Sequence, residues 1–170
     1  IVSPRALPSL MRAAKAACDR LLDEHPQSVI CLAGPGNNGG DAYGVAGLLV
    51  LAGIPTQLVA LTTPTGDALK ARHFFEDVGG EVLDTVTALN AADWVVDGLL
   101  GTGCDRPPEG AIASAIHWIH TQRAEGALVM SLDVPSGLNA STGQAYHPSI
   151  EADMTLTFLA LKTGLLTGEG

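Results

Sequence analysis

Three aspartates stand next to glycine-rich segments, where a carboxylate could take part in proton transfer. Asp41 ends the segment GPGNNGGD at 34–41, and Asp97 and Asp133 each end an apolar run that leads into a glycine-containing turn. A carboxylate that is packed among other acids at a closed strand end can have its pKa raised toward neutrality. That property suits a general acid or base near pH 7, so such acids are candidates for chemistry.

A second kind of chemistry follows from the oxygen atoms near these acids. In a parallel sheet the ends of the runs that carry Asp97 and Asp133 are neighbours of the 34–41 loop. The amide oxygen of Asn38, the carboxylate of Asp97 and the hydroxyl of Ser136 would then converge as hard oxygen ligands. Such a set suits a hard cation rather than zinc or copper. Its neutral oxygens favour a weakly bound monovalent ion over a dedicated calcium site.

The 34–41 segment also contains the pattern G-x-G-x-x-G between an apolar run and a helical pattern, where a phosphate could lie on the helix N-terminus. Two common versions of this loop are disfavoured. A Walker A loop requires Lys and then Ser or Thr where this chain has Gly40 and Asp41. A standard NAD site requires an acid at the end of the second strand, where residues 61–63 are Leu, Thr and Thr.

The elements that position these residues alternate between helices and short apolar runs. The predicted helices span 8–24, 40–52, 65–78 and 109–123, and the predicted strands span 29–33, 57–61, 81–83, 93–98, 128–133 and, nearer an edge, 153–158. Strands that are separated by helices indicate βαβ units. We therefore predict a single α/β domain over 1–170, a three-layer Rossmann-like, doubly wound fold with a mostly parallel sheet.

Composition excludes several classes of protein. The net charge is −9, with a pI near 4.7, which speaks against a nucleic-acid partner or an anionic membrane surface. The apolar share of 46% excludes intrinsic disorder, and no apolar run is long enough to span a membrane. Cys18, Cys31 and Cys104 are widely spaced, which favours reduced thiols in a cytoplasmic protein. Because the chain begins at Ile1, we expect it to be part of a longer protein.

Four motifs together resemble a known family. GPGNNGGD at 34–41, VVDGLLGTG at 95–103, SLDVPSGL at 131–138 and TFLALKTGLLTG at 157–168 are similar, in order and spacing, to the YjeF N-terminal domain family. The characterised members of that family are NAD(P)H-hydrate epimerases, isomerases of metabolite repair that interconvert the R and S forms of hydrated NADH or NADPH. The resemblance implies the same activity here and a Rossmann-like sheet.

The resemblance also implies roles for individual residues. Asp133 is the first choice for the acid or base and Asp41 the second, and potassium would be held by Asn38, Asp97 and Ser136. The residues expected to contact the hydrated dinucleotide are Asn37, Asn38, Gly39, Gly40, Asp41, Gly101, Thr102, Gly103, Cys104, Asp105, Arg106, Pro107 and Asp133. The family further suggests a homodimer and, in the parent protein, a fused ADP- or ATP-dependent dehydratase domain.

Other interpretations remain open at this point. Asp41 could be a first-turn helix acid and Asp133 a structural turn acid before Pro135. The whole domain could be a non-catalytic nucleotide-binding or scaffold module with the same fold. His117 and His120 lie three residues apart on a predicted helix, and we interpret them as a solvated face rather than a metal site.

Overall fold

The structure, a computed structural model, describes residues 9–157. The helices are α1 (Ser9–Leu22), α2 (Asn37–Leu51), α3 (Gly66–Asp77) and α4 (Gly110–Ala124). The strands are β1 (Val29–Ala33), β2 (Thr56–Ala60), β3 (Val82–Leu83), β4 (Trp94–Gly98), β5 (Leu128–Leu132) and β6 (Met154–Leu156). No helix in this described part of the chain is both long and apolar enough to cross a membrane.

All six strands form one sheet in the order β3-β2-β1-β4-β5-β6, and every pair of neighbours is parallel. The chain moves outward from β1 to β3 and then returns to the other side of β1 with β4. The order therefore reverses between β1 and β4, which is where open sheets of this kind bind ligands, beyond the carboxyl ends of the strands. The predicted doubly wound sheet is confirmed, and β6 lies at the edge as expected.

Helices cover both faces of the sheet, and β1 shows why its sequence is a continuous apolar run. Val29, Cys31 and Ala33 pack into one buried cluster with residues of α1, α2 and α3. Ile30 and Leu32 point the other way, into a second buried cluster to which α4 contributes. Because alternate side chains of a strand face opposite sides of the sheet, only a strand covered on both faces is apolar throughout. The three-layer prediction is confirmed.

The predicted start of α2 at Gly40 is wrong, because the helix begins at Asn37. Glycine and asparagine are typical turn residues, but the turn ends at Gly36 and residues 37–39 belong to the helix. Gly36 is the N-cap residue and has φ of 88°, a left-handed conformation that glycine adopts without strain. The other helices and strands begin and end within about two residues of their predicted limits. Pro8 and Phe158 lie outside the described residues.

Backbone groups of three segments touch where α2 meets the sheet. The Gly34 nitrogen donates a hydrogen bond to the carbonyl oxygen of Gly98, so the loops after β1 and β4 lie side by side. A Cβ added at Gly39 would lie 2.0 Å from the carbonyl oxygen of Gly34. The first turn of α2 therefore packs directly against the end of β1, and no side chain larger than glycine's hydrogen fits between them.

We predict that Gly39→Ala lowers the free energy of unfolding by about 1–3 kcal/mol, as overpacking of a rigid site does. The higher helix propensity of alanine contributes only up to about 1 kcal/mol in the opposite direction. Urea denaturation of the wild type and the variant measures the difference.

Gly103→Ala is the control for this prediction, because an added Cβ there meets nothing within 4 Å. Its effect should stay within about 0.5 kcal/mol. Equal stability of the two variants would mean that the backbone contact at Gly39 is not restrictive.

Candidate functional site

An open cavity of about 700 Å³ lies at the carboxyl ends of the strands, beside the point where the strand order reverses. Its wall combines the loops after β1 and β4, the first two turns of α2, the first turn of α3, the residue after β5 and one residue of α1. The lining residues are Ala13, Pro35, Gly36, Asn37, Asn38, Asp41, Asp67, Leu100, Gly101, Thr102, Gly103, Cys104 and Asp133.

The N-terminus of α2 forms part of this wall. Gly36, Asn37 and Asn38 all line the cavity, and no side chain caps the helix. The first N–H groups of a helix have no partner within the helix, and the helix dipole places positive potential there. An anionic group such as a phosphate is therefore favoured at this end of the cavity.

Asp41 and Asp133 form the acidic part of the cavity. Asp41 is only 9% exposed. Burial raises its pKa to about 7, and the negative charge of Asp133 contributes in the same direction. Asp41 lies in the second turn of α2, and the helix has no acid in its first turn, so the interpretation of Asp41 as a first-turn acid is wrong. Its place in the cavity wall favours a chemical role.

Asp133 is held by its backbone rather than by its side chain. Its φ of 66° is left-handed, which is uncommon for a residue other than glycine. The N–H of Asp133 donates a hydrogen bond to the carbonyl oxygen of Leu156, and the carbonyl oxygen of Asp133 accepts one from the Thr157 hydroxyl. Among residues 9–157 no hydrogen bond to the carboxylate of Asp133 or Asp41 is found. Both carboxylates are thus available to a ligand.

Asp97 lies behind the cavity wall and is completely buried. Its Oδ2 accepts hydrogen bonds from the Ser131 hydroxyl at 2.7 Å and from the Ser136 nitrogen at 2.9 Å. Its Oδ1 accepts from the Ser136 hydroxyl at 2.5 Å and from the Leu99 nitrogen at 3.2 Å. Burial raises the pKa of Asp97, and these hydrogen bonds act against that rise. We infer that this carboxylate has a structural role, since its lone pairs are already engaged.

Asn38 connects this buried group to the cavity. Its Nδ2 donates to the carbonyl oxygens of Leu100 and Leu132, at 2.9 and 3.0 Å. Its Oδ1 is buried and has no hydrogen-bond partner. A buried polar atom without a partner is costly, and a ligand or cation bound at this point would give the oxygen a partner.

The structure brings most of the predicted ligand-contact residues to the cavity: Asn37, Asn38, Asp41, Gly101, Thr102, Gly103, Cys104 and Asp133. Gly39 and Gly40 are buried in the first turn of α2, behind the lining. Asp105, Arg106 and Pro107 are exposed and continue the same loop beyond the lining. Of the predicted potassium ligands, Asn38 lines the cavity, and Ser136 and Asp97 lie buried beneath it.

Sequence reasoning missed two residues. Ser131 lies opposite Asp97 in the register of β4 and β5, and its hydroxyl donates to that carboxylate. In the sequence it is a single small residue within an apolar run, which gives no signal of this contact. Asp67 lies in the first turn of α3 and lines the cavity from the β2 side. The available signal for Asp67 was its position after the helix start at Thr65 and Gly66, since a helix that follows a strand begins at the same sheet edge.

We predict that Asp41→Asn changes the pH dependence of stability. The pKa of Asp41 is about 7 in the folded chain, against about 3.9 in an unfolded one. Between these values the folded state binds more protons, so this group makes stability fall as pH rises. Asparagine resembles the uncharged form, so the variant should match the wild type near pH 4 and exceed it by about 1–3 kcal/mol at pH 8.

The measurement is the free energy of unfolding in urea at several pH values between 4 and 8. Asp77→Asn is the control, because Asp77 is exposed at the end of α3. The pH-dependent part of the difference from the wild type should be larger for Asp41→Asn than for this control. A difference for Asp41→Asn that does not change with pH would show that Asp41 has an ordinary pKa.

Comparison with known proteins agrees with this architecture. Residues 9–164 match the family described as YjeF-related protein N-terminus. An NAD(P)H-hydrate epimerase of Limosilactobacillus fermentum is 34% identical, over 96% of this chain and 81% of its own length. The bifunctional NAD(P)H-hydrate repair enzyme Nnr of Escherichia coli is 37% identical, over 94% of this chain and 32% of its own length.

A solved structure supports the fold independently of these names. The crystal structure of the yeast protein ynu0 (YNL200c) matches with a TM-score of 0.77, over 91% of this chain and 73% of the yeast chain, at 20% sequence identity. At that identity the match concerns the fold alone. With the family match extending over nearly the whole chain, the protein belongs to the YjeF-related N-terminal family.

Proposed function

We propose that this chain is an NAD(P)H-hydrate epimerase, which interconverts the R and S forms of hydrated NADH and NADPH. The observation that carries the proposal is the pair Asp41 and Asp133 in the cavity, in which Asp41 has a pKa of about 7. Such an acid is present in both protonation states at neutral pH, as acid–base catalysis requires. The names of the similar proteins from L. fermentum and E. coli support the same reaction.

The substrate would lie across the N-terminus of α2. Its diphosphate is favoured at the uncapped helix end beside Gly36 and Asn37. The loop after β4 lines the same cavity through Gly101, Thr102 and Gly103, and its small residues allow the ligand to approach the backbone. The hydrated nicotinamide ring would then reach Asp41 and Asp133.

The reaction inverts the carbon that bears the hydroxyl group of the hydrated ring. That carbon is also bonded to the ring nitrogen. Once the hydroxyl group is protonated, the lone pair of the nitrogen can expel it as water. Loss of water gives a planar iminium carbon, and return of water to the opposite face gives the other epimer. The enzyme must therefore supply a proton to the leaving hydroxyl and remove one from the incoming water.

Asp41 and Asp133 can divide these two tasks. Protonated Asp41 donates its proton to the departing hydroxyl, and Asp133 takes a proton from the water that returns. The two acids exchange roles in the reverse direction. Proton exchange with cavity water restores the starting state, so no other reactant is consumed. The left-handed backbone at Asp133 places strain at the residue that must be positioned accurately.

The residues around Asn38 fit a potassium ion. The unpartnered Oδ1 of Asn38 is a free hard-oxygen ligand, and the carbonyl oxygens of Leu100 and Leu132 converge on the same amide. Asp97 and Ser136 lie directly behind, where the negative charge of Asp97 would favour a cation although its oxygens already accept hydrogen bonds. A bound cation would supply positive charge beside the cavity. Within the described residues, no cluster of three His, Cys, Asp or Glu side chains is arranged to hold a metal.

Some wider properties stay predictions. The three cysteines are free and buried, which fits the cytoplasmic compartment that we propose. A fused dehydratase domain is supported by relatives whose names call them bifunctional, of which this chain matches only 32% and 26% of the length. The homodimer has no further support in the described residues.

We predict that the protein accelerates R/S equilibration of a hydrate sample enriched in one epimer, followed by chromatography. Asp133→Asn and Asp41→Asn should each slow the reaction about 10²–10⁴-fold, the usual contribution of a positioned acid or base. Asp77→Asn, an exposed acid far from the cavity, should react like the wild type.

Two results would contradict this proposal in different ways. Near-normal equilibration by Asp133→Asn would remove Asp133 from the mechanism. No acceleration by the wild type, together with an empty cavity in crystals soaked with the hydrated dinucleotide, would favour a scaffold module.

We further predict that potassium raises the unfolding temperature more than choline at equal ionic strength. An ion that binds only the folded state contributes about 1.4 kcal/mol at ten times its Kd. Asn38→Ala should abolish the difference between the two cations, because it removes the free ligand oxygen. Ser131→Ala, which loses only the hydrogen bond to Asp97, should be less stable but keep the difference. Equal unfolding temperatures in potassium and choline would exclude the site.

A further inference from the structure

We propose that Asp67 recognises the adenosine ribose of the hydrated dinucleotide and makes this chain prefer hydrated NADH to hydrated NADPH. The inference rests on the proposed function and adds a substrate preference and a residue that determines it. The two substrates share the reacting ring and differ only by a phosphate on the 2′ oxygen of the adenosine ribose. Discrimination must therefore occur at the end of the cavity that holds the adenosine.

The sheet order places that end near Asp67. Asp133 follows β5 and Asp67 follows β2 in the first turn of α3, and β1 and β4 lie between these two strands. Three strand spacings amount to about 14 Å. The cavity therefore has a reactive end at Asp133 and a second acidic end at Asp67, with the N-terminus of α2 between them.

A dinucleotide is long enough to span both ends. With its hydrated ring at Asp133 and its diphosphate at the start of α2, its adenosine extends toward β2 and the first turn of α3. An acid on the β2 side of the switch point is what holds the ribose hydroxyls in ordinary dinucleotide-binding sheets. Residues 61–63 lack that acid. Asp67 supplies a carboxylate a few residues later, on the helix rather than at the strand end.

One carboxylate oxygen of Asp67 could accept hydrogen bonds from a ligand. Its Oδ1 accepts a hydrogen bond from the Lys70 ammonium at 3.0 Å, whereas no bond to its Oδ2 is found among the described residues. A carboxylate oxygen accepts hydrogen bonds readily from a ribose diol but repels a phosphate in the same place. The 2′ position is where the NADPH hydrate carries its additional phosphate.

The other charges of the cavity act in the same direction. Asp41, Asp67 and Asp133 line it, and among the described residues no Lys or Arg does. A further phosphate would therefore enter a field with three acids and no side-chain cation to balance it. The unpartnered, buried Oδ1 of Asn38 in the same wall is an independent sign that this cavity binds a ligand.

Among the described residues, Lys70 forms an ion pair with Asp67 and could reverse the preference. Its side chain is 79% exposed, and its pair with Asp67 is a surface ion pair, which is weak. A lysine that left Asp67 could contact a 2′ phosphate. The effect of Asp67 should be the larger one, because Asp67 lines the cavity and Lys70 does not.

The test measures kcat and KM of epimerisation separately for hydrated NADH and hydrated NADPH. The wild type should show about tenfold higher kcat/KM with the NADH form, through KM, because the reacting ring is the same. Asp67→Asn should reduce that ratio at least threefold, mainly by improving the NADPH form. Lys70→Gln should keep or enlarge the ratio, and Asp77→Asn should leave it unchanged. Asp67 is 73% exposed, so its substitution should not disturb folding.

Binding of ADP-ribose and of its 2′-phosphate provides a readout that does not depend on catalysis. Calorimetry should show tighter binding of ADP-ribose to the wild type and a smaller difference for Asp67→Asn. Equal affinities, or a difference that Asp67→Asn leaves unchanged, would overturn the proposal. Tighter binding of the 2′-phosphate that Lys70→Gln abolishes would overturn it in favour of Lys70. Absence of turnover with both hydrates, while ADP-ribose still binds selectively, would instead reject the epimerase function.

Discussion

The hydrogen bonds around Asp97 are the constraint on which the site depends. This carboxylate sits at the end of the central strand β4 with no exposure, and it accepts bonds from Ser131 in β5, from Ser136 in the next loop and from Leu99. Removal of one of these donors would leave buried negative charge uncompensated, and removal of the carboxylate would leave buried donors unpaired. Both changes are costly. The loops after β4 and β5 are therefore held in one arrangement relative to each other.

Two further contacts connect these loops to the cavity wall. The Ser136 hydroxyl, besides donating to Asp97, accepts a hydrogen bond from the Leu100 nitrogen at 2.9 Å. The Asn38 amide donates to the carbonyl oxygens of Leu100 and Leu132 and so joins the start of α2 to both loops. Asp133 is the residue that follows Leu132. The buried carboxylate thus helps to fix the positions of Asp41 and Asp133, which line the cavity, although it does not line the cavity itself.

Asp97 and Asp41 show how hydrogen bonding divides the roles of two buried acids. Burial raises the pKa of both. Asp97 is surrounded by donors that stabilise its charged form, whereas no donor to Asp41 is found among the described residues and Asp133 adds repulsion. The first acid is suited to structure and the second to proton transfer. Their sequence contexts, each beside glycines, do not distinguish these roles.

The sheet could be predicted from sequence because its signals are local. The run 29–33 is apolar throughout and is followed by glycine, so the position of this strand follows from pattern alone, and the alternation of strands with helices predicts the parallel sheet. The start of α2 could not be predicted in this way, because asparagine and glycine at 37–40 have low helix propensity. Packing of the first turn against the end of β1 overrides that propensity. The role of Ser131 could not be predicted either, since it depends on which strands are neighbours in space, whereas the position of Asp67 at the start of α3 was a signal that the sequence contained.

The charges of the cavity wall indicate what the glycine-rich loops would contribute to ligand binding. A dinucleotide carries negative phosphates, yet the described cavity wall contributes three carboxylates and no lysine or arginine. The attraction must therefore come from backbone N–H groups at the start of α2, and from a cation beside Asn38 if one binds. Backbone groups can reach a phosphate only where side chains do not intervene. Gly36 lines the cavity and leaves that approach open, whereas Gly34 and Gly39 allow the loops after β1 and β4 and the first turn of α2 to pack closely together.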